Sequence, residues 1–266
     1  MLGQSRRTQR YQAKQADDEP ALVKGMLELV RLHPRFGYRR IWALLKREGW
    51  HVNRKRIWRL WKQEGLKVPQ KKHKKRRLGI AANGVPRLQA LGINCIWAMD
   101  FVFDVTANGR SLKWLGIVDE FTRENLALEV SRQFKATDVI DVLRELIALR
   151  GTPAHLRCDN GPEFIAHGVK DWLETSKIGA LYIEPGSPWQ NGYAESFNSK
   201  LRDELLAVEI FETLPQARAL ATWWRLEYNH RRPHSSLAYQ TPAAFAAIGD
   251  HSLIAGGTKD GGRPVL

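Results

Sequence analysis

Along the chain the apolar positions change period twice. Leu22, Met26, Leu29 and Val30 recur at helical spacing, and Asp17 and Asp18 before Pro20 supply an N-cap and a first-turn proline. This predicts a helix through His33, closed by Pro34. From Gly37, the residues Tyr38, Ile41, Leu44 and Leu45 share one face of a second helix that stops at Gly49. Asn53 caps a third, which buries Ile57, Leu60 and Trp61 and ends at Gly65. Two short helices joined by a tight turn make a helix-turn-helix. The third helix displays Arg54, Lys55, Arg56, Arg59 and Lys62, a basic face of the kind a recognition helix brings to phosphates and base edges in a major groove. A small packing bundle with a basic rim has the same pattern, so both readings stand at this point.

The period then falls to two. Ile93–Val105 alternates like a strand, as do Lys113–Val118 and Leu126–Val130, with a hairpin signal at Ala107-Asn108-Gly109. Ala136–Leu149 returns to helical spacing, with Val139, Val142, Leu143, Leu146 and Ile147 inward. A short strand at His155–Cys158, a helix at Val169–Ser176, a strand at Ala180–Ile183 and a helix carrying Glu195 follow. After Pro215 another helix runs to about Tyr228. The order predicts an α/β domain, a mixed sheet flanked by helices, preceded by a small all-α helix-turn-helix domain. Trp97, Trp114, Phe164 and Trp172 are available to fill its core. The expected boundaries are a disordered N-terminus at 1–19, the helix-turn-helix at 20–66, a basic linker at 67–90, the sheet domain at 91–248 and a flexible tail at 249–266.

Charge changes this picture more than composition does. The 266 residues are 43% hydrophobic and 26% charged, with a net charge of +14, an ordinary globular balance. Residues 1–80 hold 23 of the 42 Lys and Arg against 6 of the 28 acids. The remaining 186 residues are slightly acidic. A basic head on a near-neutral body points to a polyanion-binding module joined to something else. Residues 67–77, KVPQKKHKKRR, form either a tether that follows a phosphate backbone, a targeting signal or a solubilising spacer. No apolar run is long enough to span a membrane. Cys95 and Cys158 are too few for a disulfide framework or a zinc module. The expected location is the cytoplasm. The Arg-rich, acid-free first sixteen residues also fit a transit peptide.

Three acids carry the candidate chemistry. Asp100 lies inside the first predicted strand, Asp159 just after a later one, and Glu195 on a helix, with thirty-five residues between the last two. Carboxylates so placed can converge, and they repel unless a divalent cation neutralises them. All-oxygen donors favour magnesium or manganese over zinc. Two such ions suit phosphoryl transfer. Arg202, seven residues after Glu195, shares its helical face, with Asn191 and Asn198 on the same stripe, so these three are candidate contacts to a nucleic-acid backbone. A stripe of both charge signs is equally a solvated face. Asp119 with Glu120 is either a fourth acid or a strand-end cap working with Arg123. Asp104 shares the strand face of Asp100, and Glu163 either reaches Asp159 or begins the next helix. His155, His167, His230 and His234 lack metal-site spacing and are expected to be structural. No Ser-His-Asp order, phosphate-binding glycine loop or nucleotide fingerprint is present.

WAMDF around Asp100, CDNGPEF around Asp159 and SPWQNGYAESFNSKLRDEL around Glu195 together resemble the DDE transposases related to retroviral integrases. The thirty-five-residue gap and the basic residue at Arg202 match that group. HPRFGYRRIWALLKREGWHVNRKRIWRLWKQEGL resembles the helix-turn-helix, and YNHRRPHSSLAYQTPAAF the closing segment, of the second-frame protein of the insertion-sequence-three family. The resemblance implies a ribonuclease-H-like catalytic core in which Asp100, Asp159 and Glu195 bind two magnesium ions. It implies cleavage at element ends and strand transfer into target DNA by a homo-oligomer assembled on DNA. It also implies a bacterial, nucleoid-associated setting and the product of an upstream frame as a partner. The competing expectation is a DNA-binding regulator with a non-catalytic integrase-like domain.

Overall fold

The computed structural model describes residues 17–68, 88–183 and 188–255. The chain divides into two compact units, Met1–His73 and Lys74–Leu266. Of the disordered N-terminus expected at 1–19, the linker at 67–90 and the tail at 249–266, residues 1–16, 69–87 and 256–266 lie outside the described residues, while Glu19 already belongs to the first helix.

In the first unit the three expected helices form: α1 (Glu19–Leu32), α2 (Tyr38–Arg47) and α3 (Arg54–Gln63). Their apolar stripes meet in one core of Leu22, Met26, Leu29, Phe36, Ile41, Leu44, Leu45, Ile57, Leu60 and Trp61. Gly49 ends α2 with φ +92°. There the Trp50 amide reaches back to the Leu45 carbonyl and the Gly49 amide to Lys46, a cap that only a left-handed residue permits. Gly65 repeats this after α3, with the Leu66 amide on the Trp61 carbonyl. Asn53 caps α3 by accepting from the Lys55 amide at 2.9 Å. Asp18 stands at the N-cap of α1, but its carboxylate is turned to Arg56 instead of to a helix amide.

The second unit is built on a five-stranded sheet. Its strands are β1 (Ile96–Val105), β2 (Ser111–Asp119), β3 (Asn125–Ser131), β4 (His155–Cys158) and β5 (Gly179–Tyr182), in the order β3-β2-β1-β4-β5. β1, β2 and β3 are antiparallel neighbours, and β4 and β5 run parallel to β1. The helices are α4 (Ala136–Arg150), the single turn α5 (Pro162–Ile165), α6 (His167–Thr175), α7 (Gly192–Leu201), α8 (Leu214–His230) and α9 (Pro242–Ala255). A π turn, Arg202–Leu206, continues α7.

Strand alternation decides which helices cover which face. Trp97 and Met99 join Val139, Leu143, Val169 and Leu173 on one side. Ala98 and Val102 join Phe197, Leu201, Trp224 and Tyr228 on the other. Asp100 has the parity of Ala98 and Val102, so it belongs to the α7 face. Opposite it in the β1–β2 register is Gly116. A Cβ there would lie 2.8 Å from the Phe197 ring, so the glycine is what lets α7 lie this close to the sheet.

Two expectations need correction. β1 starts at Ile96, not Ile93, because Asn94 adopts φ +57° and its amide donates to Asp119 at 2.8 Å. The tail expected from 249 is helical to Ala255: α9 carries Phe245 against Phe121, and Gly249 sits so close to Ile93 that a Cβ would meet it at 3.3 Å.

Candidate active site

Asp100 is partly buried in the middle of β1. One carboxylate oxygen accepts from the Phe101 amide at 2.8 Å, and the other from the side-chain amide of Asn198 at 2.8 Å. Burial first, and then the Asp159 charge, push its pKa up to about 6; Glu195 adds to the rise, while the Phe101 amide and Arg202 oppose it. Four residues from three distant parts of the chain therefore share one electrostatic neighbourhood. These are the three expected acids and the expected arginine.

Asp159 begins the loop after β4. Its Oδ1 accepts from the Gly161 amide at 3.0 Å, and Asn160 ties the same loop to the Ile183 carbonyl at 2.7 Å. Glu163 starts α5 and pairs with the buried Lys113 at 2.5 Å, so it fastens the loop to β2 rather than joining Asp159. That ion pair and two short hydrogen bonds fix where the loop runs.

Glu195 occupies the first turn of α7 and is exposed, and Arg202 is exposed at its far end. Asn191 and Asn198 depart from expectation. They are 3% and 5% exposed, too deep to hold a passing strand as their helical stripe had implied. Asn191 donates to the Met99 carbonyl at 3.4 Å, and Asn198 faces Asp100. For Asn198 the physical reason is Gly116, which lets α7 lie close to the sheet; Asn191 stands in the turn before α7 and is held there by its bond to β1.

The donors suit a hard divalent cation by chemistry. They are all oxygen, and the unfavourable charge on Asp100 is what such a cation relieves. Among the described residues, however, no three His, Cys, Asp or Glu side chains form a metal-holding cluster as they stand. Ligation by all three acids therefore requires them to converge further.

The remaining acids resolve plainly. Asp119 is a strand-end cap: its carboxylate accepts from the amides of Asn94, Phe121 and Thr122. The Arg123 amide donates to the main-chain carbonyl of Asp119 at 2.9 Å. The Arg123 side chain donates to the Glu120 carbonyl and stacks on Tyr193. Glu120 pairs with Arg157 at 2.9 Å. Asp104 accepts from the Val105 amide next to it. His234 is buried edge-on to Tyr228. One group escaped the sequence reading. Arg232, buried, forms two 2.6 Å hydrogen bonds with Glu204 and so clasps the π turn that begins with Arg202. The doubled base in YNHRRPHSSL was the available signal.

In the first unit, the five bases expected to face DNA divide. Arg54, Lys55 and Lys62 are exposed. Arg56 pairs with Asp18 at 2.5 Å and Arg59 with Glu19 at 2.5 Å, so the start of α1 already neutralises both.

Three family profiles match the chain: an HTH-like domain over residues 16–74, and two integrase core domains over 92–188 and 176–242. An uncharacterised 31.7 kDa protein of insertion element IS407 from Burkholderia multivorans is 39% identical over 251 residues, covering 93% of this chain and 88% of its own length. A 39.2 kDa protein of IS476 from Xanthomonas euvesicatoria is 41% identical, over 93% of this chain and 70% of that one. The transposase InsD of insertion element IS2 from Escherichia coli is 28% identical, over 82% and 77%. Among solved structures, the HTLV-2 integrase catalytic core domain in complex with magnesium aligns with TM-score 0.47 at 19% identity, over 59% of this chain and 99% of that one. The BIV integrase core aligns at 23% identity over 60% and 99%, with TM-score 0.47. The chain belongs to the integrase-core family of insertion-element transposases, in accord with its resemblance to the second-frame proteins of the insertion-sequence-three family.

Proposed function

We propose that Asp100, Asp159 and Glu195 form the catalytic centre of a DDE polynucleotidyl transferase and hold magnesium, as two ions, with manganese able to replace it. The observation that carries this reading is the setting of Asp100, whose pKa is raised by burial and then by the charges of Asp159 and Glu195, with Arg202 opposing them. A divalent cation bound there supplies the positive charge that polarises a phosphodiester and favours the deprotonated form of an attacking oxygen. The chain's own groups do the positioning. Asn198 and the Phe101 amide orient Asp100, and the Gly161 amide orients Asp159. Arg202, exposed beside them, holds the DNA backbone in this reading.

The reaction is cleavage by water at the 3′ end of the element, followed by attack of the freed 3′-hydroxyl on a phosphodiester of target DNA. Each step forms one P–O bond and breaks one. The helix-turn-helix binds DNA, with Arg54, Lys55 and Lys62 as its phosphate contacts. Two element ends must meet, so the working form is a homo-oligomer on DNA, with an upstream-frame product as a further partner. No helix among the described residues is long and apolar enough to cross a membrane, and the setting proposed is the bacterial cytoplasm at the nucleoid.

Replacing Glu195 by Gln tests the reading. In a magnesium-dependent strand-transfer assay on labelled element-end DNA, E195Q is expected to lose at least a hundredfold in rate with DNA affinity unchanged. Undiminished transfer would leave the acid without a role. An unchanged biological output with transfer absent in both proteins would support the regulator instead.

A further inference from the structure

Nine of the ten residues of α3, all but the terminal Gln63, fall on three faces. Ile57, Leu60 and Trp61 are core. Arg56 and Arg59 lie on a flank held by Asp18 and Glu19 of the first helix, Arg56 through two hydrogen bonds of 3.0 and 2.5 Å. The exposed face carries Arg54, Lys55, Trp58 and Lys62 on successive turns.

Trp58 is the unexpected member. It is 45% exposed, although Trp61, one turn on, is in the core. A single exposed aromatic is ordinary on its own. Here, though, it stands in the middle of a cationic stripe, with the Lys62 ammonium 4.1 Å from its ring centre. It also lies on the second helix of a helix-turn-helix, the one such modules insert into the major groove. Phosphate contacts carry no sequence information, whereas the C5-methyl of thymine is an apolar handle in that groove.

We propose that Trp58 is a base-reading residue. Its ring meets the methyl of a thymine in the major groove, while Arg54, Lys55 and Lys62 hold the flanking phosphates. Arg56 and Arg59 stay on Asp18 and Glu19 and take no part. The inference rests on the DNA-binding assignment of this unit and does not depend on the carboxylate chemistry.

The test uses the full chain and a random-sequence duplex library, with bound duplexes sequenced. The wild type yields a motif, and Trp58→Ala is expected to lose preference at one or two T·A positions while affinity for random duplex stays within about twofold. Replacing those thymines by uracil, which lacks only the methyl, should weaken the wild type roughly tenfold and Trp58→Ala less than twofold. Trp58→Phe should keep most of the preference, and with the uracil swap it preserves the test if the alanine variant folds poorly. Lys62→Ala should weaken binding to all sequences and reduce the slope of log affinity against log salt by about 1. Arg56→Ala, whose partner Asp18 is solvent-exposed, should leave that slope unchanged. An unaltered motif in Trp58→Ala, or a uracil penalty equal in both proteins, overturns the base-reading role. A reduced slope in Arg56→Ala overturns the division of the bases.

Discussion

Gly116 and Asp100 face each other across two antiparallel strands, and what each lacks or carries shapes the site. An alanine at 116 would place its Cβ 2.8 Å from the Phe197 ring, which is itself buried against Trp224 and Tyr228 and has little room to retreat. Gly116→Ala is expected to cost about 1–3 kcal/mol in urea denaturation. Transfer activity should fall further than that loss explains, because α7 carries both Asn198 and Glu195. Asp100→Asn should act in the opposite direction on stability. The folded-state pKa of Asp100, about 6, lies above the ordinary 3.8. Its charge therefore destabilises the metal-free fold as pH rises through that window. In EDTA, Asp100→Asn should be more stable than the wild type by up to about 3 kcal/mol above pH 6, with the difference vanishing below pH 4. Melting curves across pH would show it, and a variant less stable at pH 8 would contradict the cost of burying that charge beside the other acids.

At the level of elements, α7 and its π turn are held from behind by the segment after α8. Arg232 and Glu204 are both 6% exposed by side chain and 2.6 Å apart. Removing one partner of so buried a pair strands a charge, and Glu204→Ala is expected to cost about 3–5 kcal/mol by denaturant titration. A cost below 1 kcal/mol would mean that the pair is dispensable. Periodicity made the three helices of the first unit and all five strands legible, the helices because each turns one apolar stripe to a common core. It could not show that Asn191 and Asn198 would be buried. The stripe of α7 that carries Asn198 looks polar in sequence, and only the missing side chain at Gly116, some eighty residues upstream, lets it lie close to the sheet. Nor could it divide the bases of α3, since the partners of Arg56 and Arg59 stand some forty residues earlier. The acids themselves were legible as a pattern, but their shared electrostatics follow from the sheet order, which no local signal contains.

For the whole molecule, the division of charge follows the division of labour. The first 80 residues hold 23 of the 42 bases, and the sheet unit is close to neutral around a site that is locally negative. Such a site repels a DNA backbone until cations arrive, so metal and DNA binding are expected to be cooperative in that unit. On the proposed reading, the three acids share a site for two cations. A crystal structure of the protein grown with manganese, with anomalous scattering used to locate the ions, tests this most directly. Anomalous density bounded by the carboxylates of Asp100, Asp159 and Glu195 is expected, as is its loss in Asp100→Asn. Manganese bound elsewhere, with those three side chains left apart, would contradict it.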